Sequence, residues 1–277
     1  MIRCDDGLMQ LIISAGSDIG FAMAKSWARR GLKTVGTYRT ARDRKPLKAI
    51  GVVPIRCELT SSRSINRAAR AISTIAREEK LSTVVFATGT MEPIGRFGSV
   101  LFKKWVRSFE VNFISQAHFL HKILGSLEKG AKVVFFAGGG TNNAPTNYSA
   151  YILSKIVLIK FSELLSKEYP DYGFFSAGPG WVNTKIHQQT LEAGAEAGDN
   201  LEQTINRISD SDFINMDKVV ERMSRLIDFN QSVTSGRNFS LANDPLDDPT
   251  LLARLEIDQD MYKLRRSGNG MFLEPRD

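Results

Sequence analysis

Short apolar runs alternate along this chain with longer stretches in which apolar residues recur every three or four positions. The first run, Met9–Ser14, ends in small residues and predicts a buried strand. Asp18–Arg30 follows with Ile19, Ala22, Met23, Ser26 and Trp27 at helical spacing, and it stops before Gly31. Lys33–Tyr38 and Val52–Cys57 predict the next two strands, separated by a short helix that Pro46 interrupts. Ser61–Lys80 carries a helical stripe at Ile65, Ala68, Ala69, Ile72 and Ile75, and Thr83–Ala87 predicts a fourth strand. Two long helices, Phe102–Leu127 and Ser149–Glu168, flank a fifth strand at Lys132–Ala137. A sixth strand at Gly173–Ala177, a helix at Met216–Phe229 and a last strand at Gly236–Leu241 complete the pattern. Strands alternating with helices predict an α/β fold, a doubly wound parallel sheet of about seven strands with helices on both faces. Such sheets bind ligands at the carboxyl ends of their strands, beside the topological switch point.

With no repeat, low-complexity tract or linker, residues 1–277 read as one domain. Residues 185–215 are polar, with the run Glu192-Ala193-Gly194-Ala195-Glu196-Ala197-Gly198, and predict a mobile flap. The segment 244–277 is charged and rich in Asp and Pro, a C-terminal extension to the core.

The hydrophobic fraction of 42% supports a large core, and no apolar run reaches membrane-spanning length. Residues 1–10 lack the basic start and apolar centre of a signal peptide. Cys4 and Cys57 have neither metal-ligand nor redox spacing and read as reduced thiols of a cytoplasmic protein. His118, His121 and His187 form no ligand set, so no metal is expected. The net charge of +7 is uneven: 20 Lys+Arg against 8 Asp+Glu through Arg107, then 17 against 22. A basic first half calls for an anionic ligand. Its basic residues alternate with helix-forming apolar positions and are not set among aromatics, which favours a phosphorylated cofactor over nucleic acid.

The chemistry concentrates at Tyr151-Ile152-Leu153-Ser154-Lys155, at the start of the second long helix. Residues four apart share a helix face, so the phenol and the ammonium point into one site. A neighbouring ammonium favours the phenolate and is expected to draw the Tyr151 pKa down toward neutrality, as proton exchange with a carbonyl or alcohol oxygen requires.

These residues, in this order, resemble the short-chain dehydrogenase/reductase family over roughly residues 8–243. The resemblance implies a three-layer Rossmann-type fold, a nicotinamide cofactor and carbonyl–alcohol interconversion, with Tyr151, Lys155 and Asn112 catalytic. Asn112, in Glu110-Val111-Asn112, matches the asparagine that supports a water-mediated proton relay to the lysine; a polar residue in an apolar helix can also simply bond backbone. The turn Ile13-Ser14-Ala15-Gly16-Ser17-Asp18-Ile19-Gly20 matches the family's pyrophosphate turn, with Ser14 and Asp18 in place of two of its three glycines. Ser14, Gly16, Ser17 and Ile19 would border the cofactor, and Asp18 could cap the helix. After the second strand stand Tyr38 and Arg39 where NAD-preferring relatives carry an acid, with Arg42 nearby. Arg39 suits a 2′-phosphate, so NADP(H) is expected over NAD(H). Glu58-Leu59 matches the adenine-side pair, and Ala87-Thr88-Gly89 the turn after strand four. Pro179-Gly180-Trp181-Val182-Asn183-Thr184 matches the segment whose Val182 and Thr184 would meet the nicotinamide.

One departure concerns mechanism. The family serine that holds the substrate oxygen falls at Ala137 or Gly138, neither of which offers a side-chain donor. Thr141, Asn142, Ser149 or backbone N–H groups of the glycine run could substitute; otherwise the chain would be a non-catalytic NADP(H)-binding sensor or scaffold. The glycine run, Ser235-Gly236-Arg237 and Leu264-Arg265-Arg266 resemble a branch concerned with polysaccharides or sugar nucleotides. The partners expected are a small carbonyl or alcohol substrate and a second copy of the chain, as homodimer or homotetramer through the two long helices. Nucleic acid and membrane are not expected.

Overall fold

The computed structural model describes residues 8–267; Cys4 lies outside them. Strand β1 (Leu8–Ile13) leads into α1 (Asp18–Arg29), and β2 (Thr34–Tyr38) into α2 (Ala41–Ala49), which tolerates Pro46 inside it. Next come β3 (Val53–Arg56), α3 (Ser62–Ile75) and β4 (Lys80–Phe86). Helix α4 (Phe102–Phe109) passes through a π-helical turn at Glu110–Ile114 into α5 (Ser115–Ile123). Strand β5 (Leu127–Phe136), α6 (Ser149–Glu168) and β6 (Gly173–Gly178) follow. Then come α7 (Ile186–Ala193), α8 (Asp199–Ser209), α9 (Met216–Asp228), α10 (Gln231–Thr234), β7 (Asn238–Ser240) and α11 (Pro249–Ile257).

The seven strands form one parallel sheet in the order β3-β2-β1-β4-β5-β6-β7. Chain order reverses between β1 and β4, which opens a crevice at their carboxyl ends. Side chains alternate across the strands, so each face buries its own apolar layer. Ile12, Val85, Val134 and Phe175 face Met23 and Trp27 of α1 and Met223 of α9. Leu11, Ile13, Val84, Phe86 and Phe135 face Ile65 and Ile72 of α3, Phe119 of α5 and Leu158 of α6. Phe86 stacks on Phe135 with centroids 4.9 Å apart and meets Phe119 edge-on at 6.5 Å. Burial on both faces explains why these strands read as nearly continuous apolar runs.

Two expectations need correction. The long helix expected over Phe102–Leu127 is broken by the π-turn and ends at Ile123, because Leu127 already pairs with Leu81 of β4 as the start of β5. The expected flap is α7, a short 3-10 turn and α8, joined at Gly194 and Gly198 with φ of 54° and 58°. Its glycines punctuate helices, and its polar residues form their outer faces.

The C-terminal segment is fastened to the sheet edge. Buried Arg237 donates to the carbonyls of Leu255, Asp258 and Met261 and so satisfies the end of α11. Arg265 forks onto Glu163 of α6 at 2.7 and 3.1 Å, and the Asn238 N–H donates to the Tyr262 carbonyl at 2.8 Å, which partners β7 on its outer side.

Candidate active site

A cleft of about 1510 Å³ opens along the carboxyl ends of the strands. It is larger than the roughly 300–1,000 Å³ typical of small-molecule sites, as a dinucleotide with its substrate would require. The sequence-predicted residues converge on it from distant points of the chain. Ser14, Gly16, Ser17 and Ile19 line it from the β1–α1 turn, and Arg39 from the end of β2. Glu58 and Leu59 line it after β3, Ala87 and Gly89 after β4. Tyr151 and Lys155 enter from the first turns of α6, and Val182 and Thr184 from the segment after β6. Asn112 is not in the lining.

The β1–α1 turn accommodates its substitutions in different ways. Ser14 adopts φ of 63°, the left-handed conformation natural to the glycine it replaces, and its hydroxyl bonds Thr88 Oγ1 at 2.8 Å. Its side chain therefore lies along the turn after β4. Gly20 is retained for space: a Cβ there would stand 2.6 Å from the Ser14 carbonyl oxygen. Ser17, not Asp18, caps α1, accepting from the Gly20 N–H at 3.1 Å. The Asp18 carboxylate instead accepts the Lys185 N–H at 2.8 Å and stands 3.3 Å from Lys185 Nζ, joining the start of α1 to the segment before α7 across the cleft. The turn thus presents backbone at a helix N-terminus, the arrangement that receives a pyrophosphate.

Arg39 is exposed, and among the described residues it makes no ion pair or hydrogen bond. Asp43 is engaged by its own capping box, accepting from the Thr40 N–H and hydroxyl, and Glu58 accepts from Thr60. The guanidinium of Arg39 is free to meet an anion at the rim. Sequence reasoning missed one further feature, a stack in which Trp181 lies 3.8 Å from His187 with Arg207 5.0 Å above its ring. It ties the segment after β6 to α7 and α8, and only a long-range contact, invisible in local pattern, creates it.

Lys155 is buried and donates to the carbonyls of Thr88 at 3.1 Å and Phe136 at 2.9 Å. Its Nζ stands 5.7 Å from the centroid of the Tyr151 ring. The expected lowering of the phenol pKa is not found. Burial pushes Tyr151 up to about 12 and Lys155 down to about 8. The ammonium is turned to two carbonyl oxygens, so the cost of removing the phenolate from water prevails.

Asn112 is fully buried in the π-turn. Its Oδ1 accepts the Thr90 N–H at 2.9 Å, its Nδ2 donates to the Thr90 carbonyl at 2.8 Å, and its own carbonyl accepts Gln116 Nε2 at 2.6 Å. The side chain clamps the turn after β4, two residues beyond the carbonyl that Lys155 uses. Asn112 thus reaches the lysine through the backbone it holds, without entering the cleft. Among the substitutes for the absent serine, Thr141 and Asn142 line the cleft. Ser149 does not; its hydroxyl accepts Trp105 Nε1 at 3.0 Å. No cluster of three or more His, Cys, Asp or Glu able to hold a metal occurs among the described residues, and no helix there is long and apolar enough to cross a membrane.

A protein-family model described as enoyl-(acyl carrier protein) reductase matches residues 14–240. A short chain dehydrogenase, andI, of Emericella variicolor is 25% identical over 207 residues, 68% of this chain and 69% of that protein. An uncharacterized oxidoreductase of Schizosaccharomyces pombe is 28% identical over 109 residues, 39% of this chain and 44% of that protein. Among solved structures, the KRED1-Pglu enzyme superposes with a TM-score of 0.76 at 22% identity, covering 83% of this chain and 99% of that one. An actinorhodin polyketide ketoreductase variant with NADPH gives 0.72 at 19% identity, covering 85% and 95%.

The buried amine gives stability a defined pH dependence. Lys155 is depressed to about 8 in the folded protein, as is Lys132 to about 8, both by burial. Between that value and the unfolded lysine range the unfolded chain binds more protons, so stability rises with pH. Above the ordinary tyrosine range the sign reverses, because Tyr151 stays protonated in the fold to about 12. Urea unfolding at intervals from about pH 7 to 10 should show the rise, and Lys155→Met should flatten it. A slope unchanged by Lys155→Met would contradict the assignment.

Proposed function

The chain belongs to the short-chain dehydrogenase/reductase family, enzymes that act on CH–OH groups with a nicotinamide cofactor, and within it we propose an NADP(H)-dependent oxidoreductase interconverting a carbonyl and a secondary alcohol. The observation that carries this reading is the convergence of Tyr151, Lys155 and the β1–α1 turn on one cleft. The bound cofactor supplies the hydride that the reaction transfers at carbon. Tyr151 delivers a proton to the carbonyl oxygen, or receives one from the alcohol. A phenol held neutral by burial suits the reducing direction, where it must begin protonated. Lys155 holds the nicotinamide ribose, and Asn112 keeps the Thr88–Thr90 turn in place behind it. Val182 and Thr184 orient the nicotinamide, and Glu58 and Leu59 border the adenine. Thr141 or Asn142 stands in for the absent serine.

Unpaired Arg39 supports NADP(H) over NAD(H), because a free guanidinium at the rim meets a 2′-phosphate without surrendering another partner. The NADPH of the similar polyketide ketoreductase structure accords with this choice. For the substrate we favour a polyhydroxylated carbonyl, as in polysaccharide or sugar-nucleotide chemistry. Arg237 and Arg265, part of the sequence likeness behind that idea, are taken up in fastening the C-terminal segment. Its support is the cleft's free carboxamides, Asn142, Asn143 and Gln203, which suit hydroxyl groups.

The whole chain, core and C-terminal segment, is read as one domain that pairs with a second copy of itself. Helices α4 and α6 carry exposed Phe102, Val106, Leu153 and Leu164, with exposed Leu101 just before α4 and Phe102 64% exposed. Phe102, Trp105 and Phe109 stack in succession, so this apolar surface is ordered by its own contacts. Sedimentation at micromolar concentration should give a dimer or tetramer, and Phe102→Glu should shift it toward monomer. A wild-type monomer would end this part of the proposal.

Tyr151→Phe should leave NADPH affinity nearly intact and lower turnover by roughly 100-fold or more, the scale of a positioned acid. Wild-type-like turnover would remove the proton-transfer role. Tight NADPH binding with no turnover across keto sugars, aldehydes, diketones and keto esters would favour the sensor or scaffold reading, which the absence of a serine at 137 and 138 motivates.

Arg39→Ala should weaken NADPH by about 1.5–3 kcal/mol, the range of a charged hydrogen bond, and NADH much less. Equal losses in calorimetric titration would place Arg39 away from the phosphate.

A further inference from the structure

The glycine run after β5 is not uniform. Gly140 takes φ of 93°, so its backbone calls for glycine. A Cβ on Gly139 would meet nothing within 4 Å. Gly138 is different again. Its φ is outside the left-handed region, so no left-handed backbone demands glycine there. A Cβ there would nevertheless stand 2.5 Å from the Tyr151 Oη, 2.9 Å from Cζ and 3.0 Å from Cε1. Those distances are inside any normal carbon contact, and the three nearest atoms all belong to the Tyr151 phenol. The phenol lies against the Cα of Gly138, in the volume that a side chain at 138 would occupy.

We propose that Gly138 is a positioning residue for the Tyr151 phenol, and that a serine at 138 is sterically incompatible with this placement of the hydroxyl. The proposal deepens the reading of Tyr151 as proton donor and rests on it for its catalytic consequence. Position 138 is thus committed to glycine by the tyrosine itself, and the chain cannot hold both a serine at 138 and the phenol where it lies. Side-chain donors to the substrate oxygen stand farther along the same loop, where Thr141 and Asn142 line the cleft. The consequence runs against simple repair by homology: putting the serine in should harm the enzyme.

Two measurements test this. With NADPH and the best substrate from a panel of keto sugars, aldehydes, diketones and keto esters, Gly138→Ser should lower kcat by roughly 100-fold, the scale of a displaced reacting group, while NADPH affinity stays within about twofold. Unchanged or raised turnover would overturn the proposal, since the serine would then fit or supply the missing donor. The second measurement needs no turnover. Gly138→Ala should lower Tm by about 5 °C in the wild-type background, the effect of one overpacked methyl, and by about 1 °C or less beside Tyr151→Ala. Gly139→Ala, with open space around its Cβ, is the stability control. Equal losses with and without the Tyr151 ring would show that the ring is not the obstruction and would overturn the placement. If the wild type turned over nothing in the panel, the proposed reaction would fail while the stability cycle still decided whether Gly138 seats the phenol.

Discussion

The structure depends on one buried ammonium. Lys155 reaches from α6 to the carbonyls of Thr88 and Phe136, which end or follow β4 and β5 at the carboxyl edge of the sheet. Taking an amine out of water is costly, and two carbonyl acceptors offset much of that cost while fixing where α6 begins relative to the strands. Helix α6 in turn carries Tyr151 one turn earlier, so the height of the phenol over the crevice follows from where the lysine is tied. Asn112 strengthens the same anchor from behind by gripping Thr90 at both its N–H and its carbonyl. The π-turn that presents Asn112 spoils the regular helical ladder at that point, a local cost of a kind often met at functional positions.

Around this anchor the cleft assigns different tasks to backbone and side chain. The β1–α1 turn offers N–H groups at the start of α1, with Ser14 reproducing a glycine's conformation despite its side chain. Arg39 waits unpaired at one end, and the Trp181–His187–Arg207 stack packs the other. The link from Asp18 to Lys185 joins both sides of the cleft. Gly138 completes the set from an unexpected direction, since its missing side chain is what leaves room for the phenol.

Much of this was legible in the chain. The doubly wound sheet followed from apolar runs alternating with helical stripes, because burial on both faces leaves a strong local signature. Tyr151 and Lys155 were legible because four-residue spacing puts them on one helix face. Asn112 was legible as a residue but not as a contact, for nothing local says that its partners lie on the turn after β4. The phenol pKa was misread for a related reason. Spacing shows that an ammonium is near, while only the fold shows that it is turned to two carbonyls and that burial prevails. The helical nature of residues 186–209 was hidden by glycines that mark helix ends there.

The central claim is that the crevice brings a nicotinamide and a substrate carbonyl together beside the Tyr151 hydroxyl. Reduction with NADPH deuterated at C4 of the nicotinamide, followed by mass spectrometry of the product, tests it directly. The account predicts one deuterium on the carbinol carbon when the transferred face carries the label, and none when the opposite face does. Product without deuterium from either face, in a protein that binds NADPH, would contradict it.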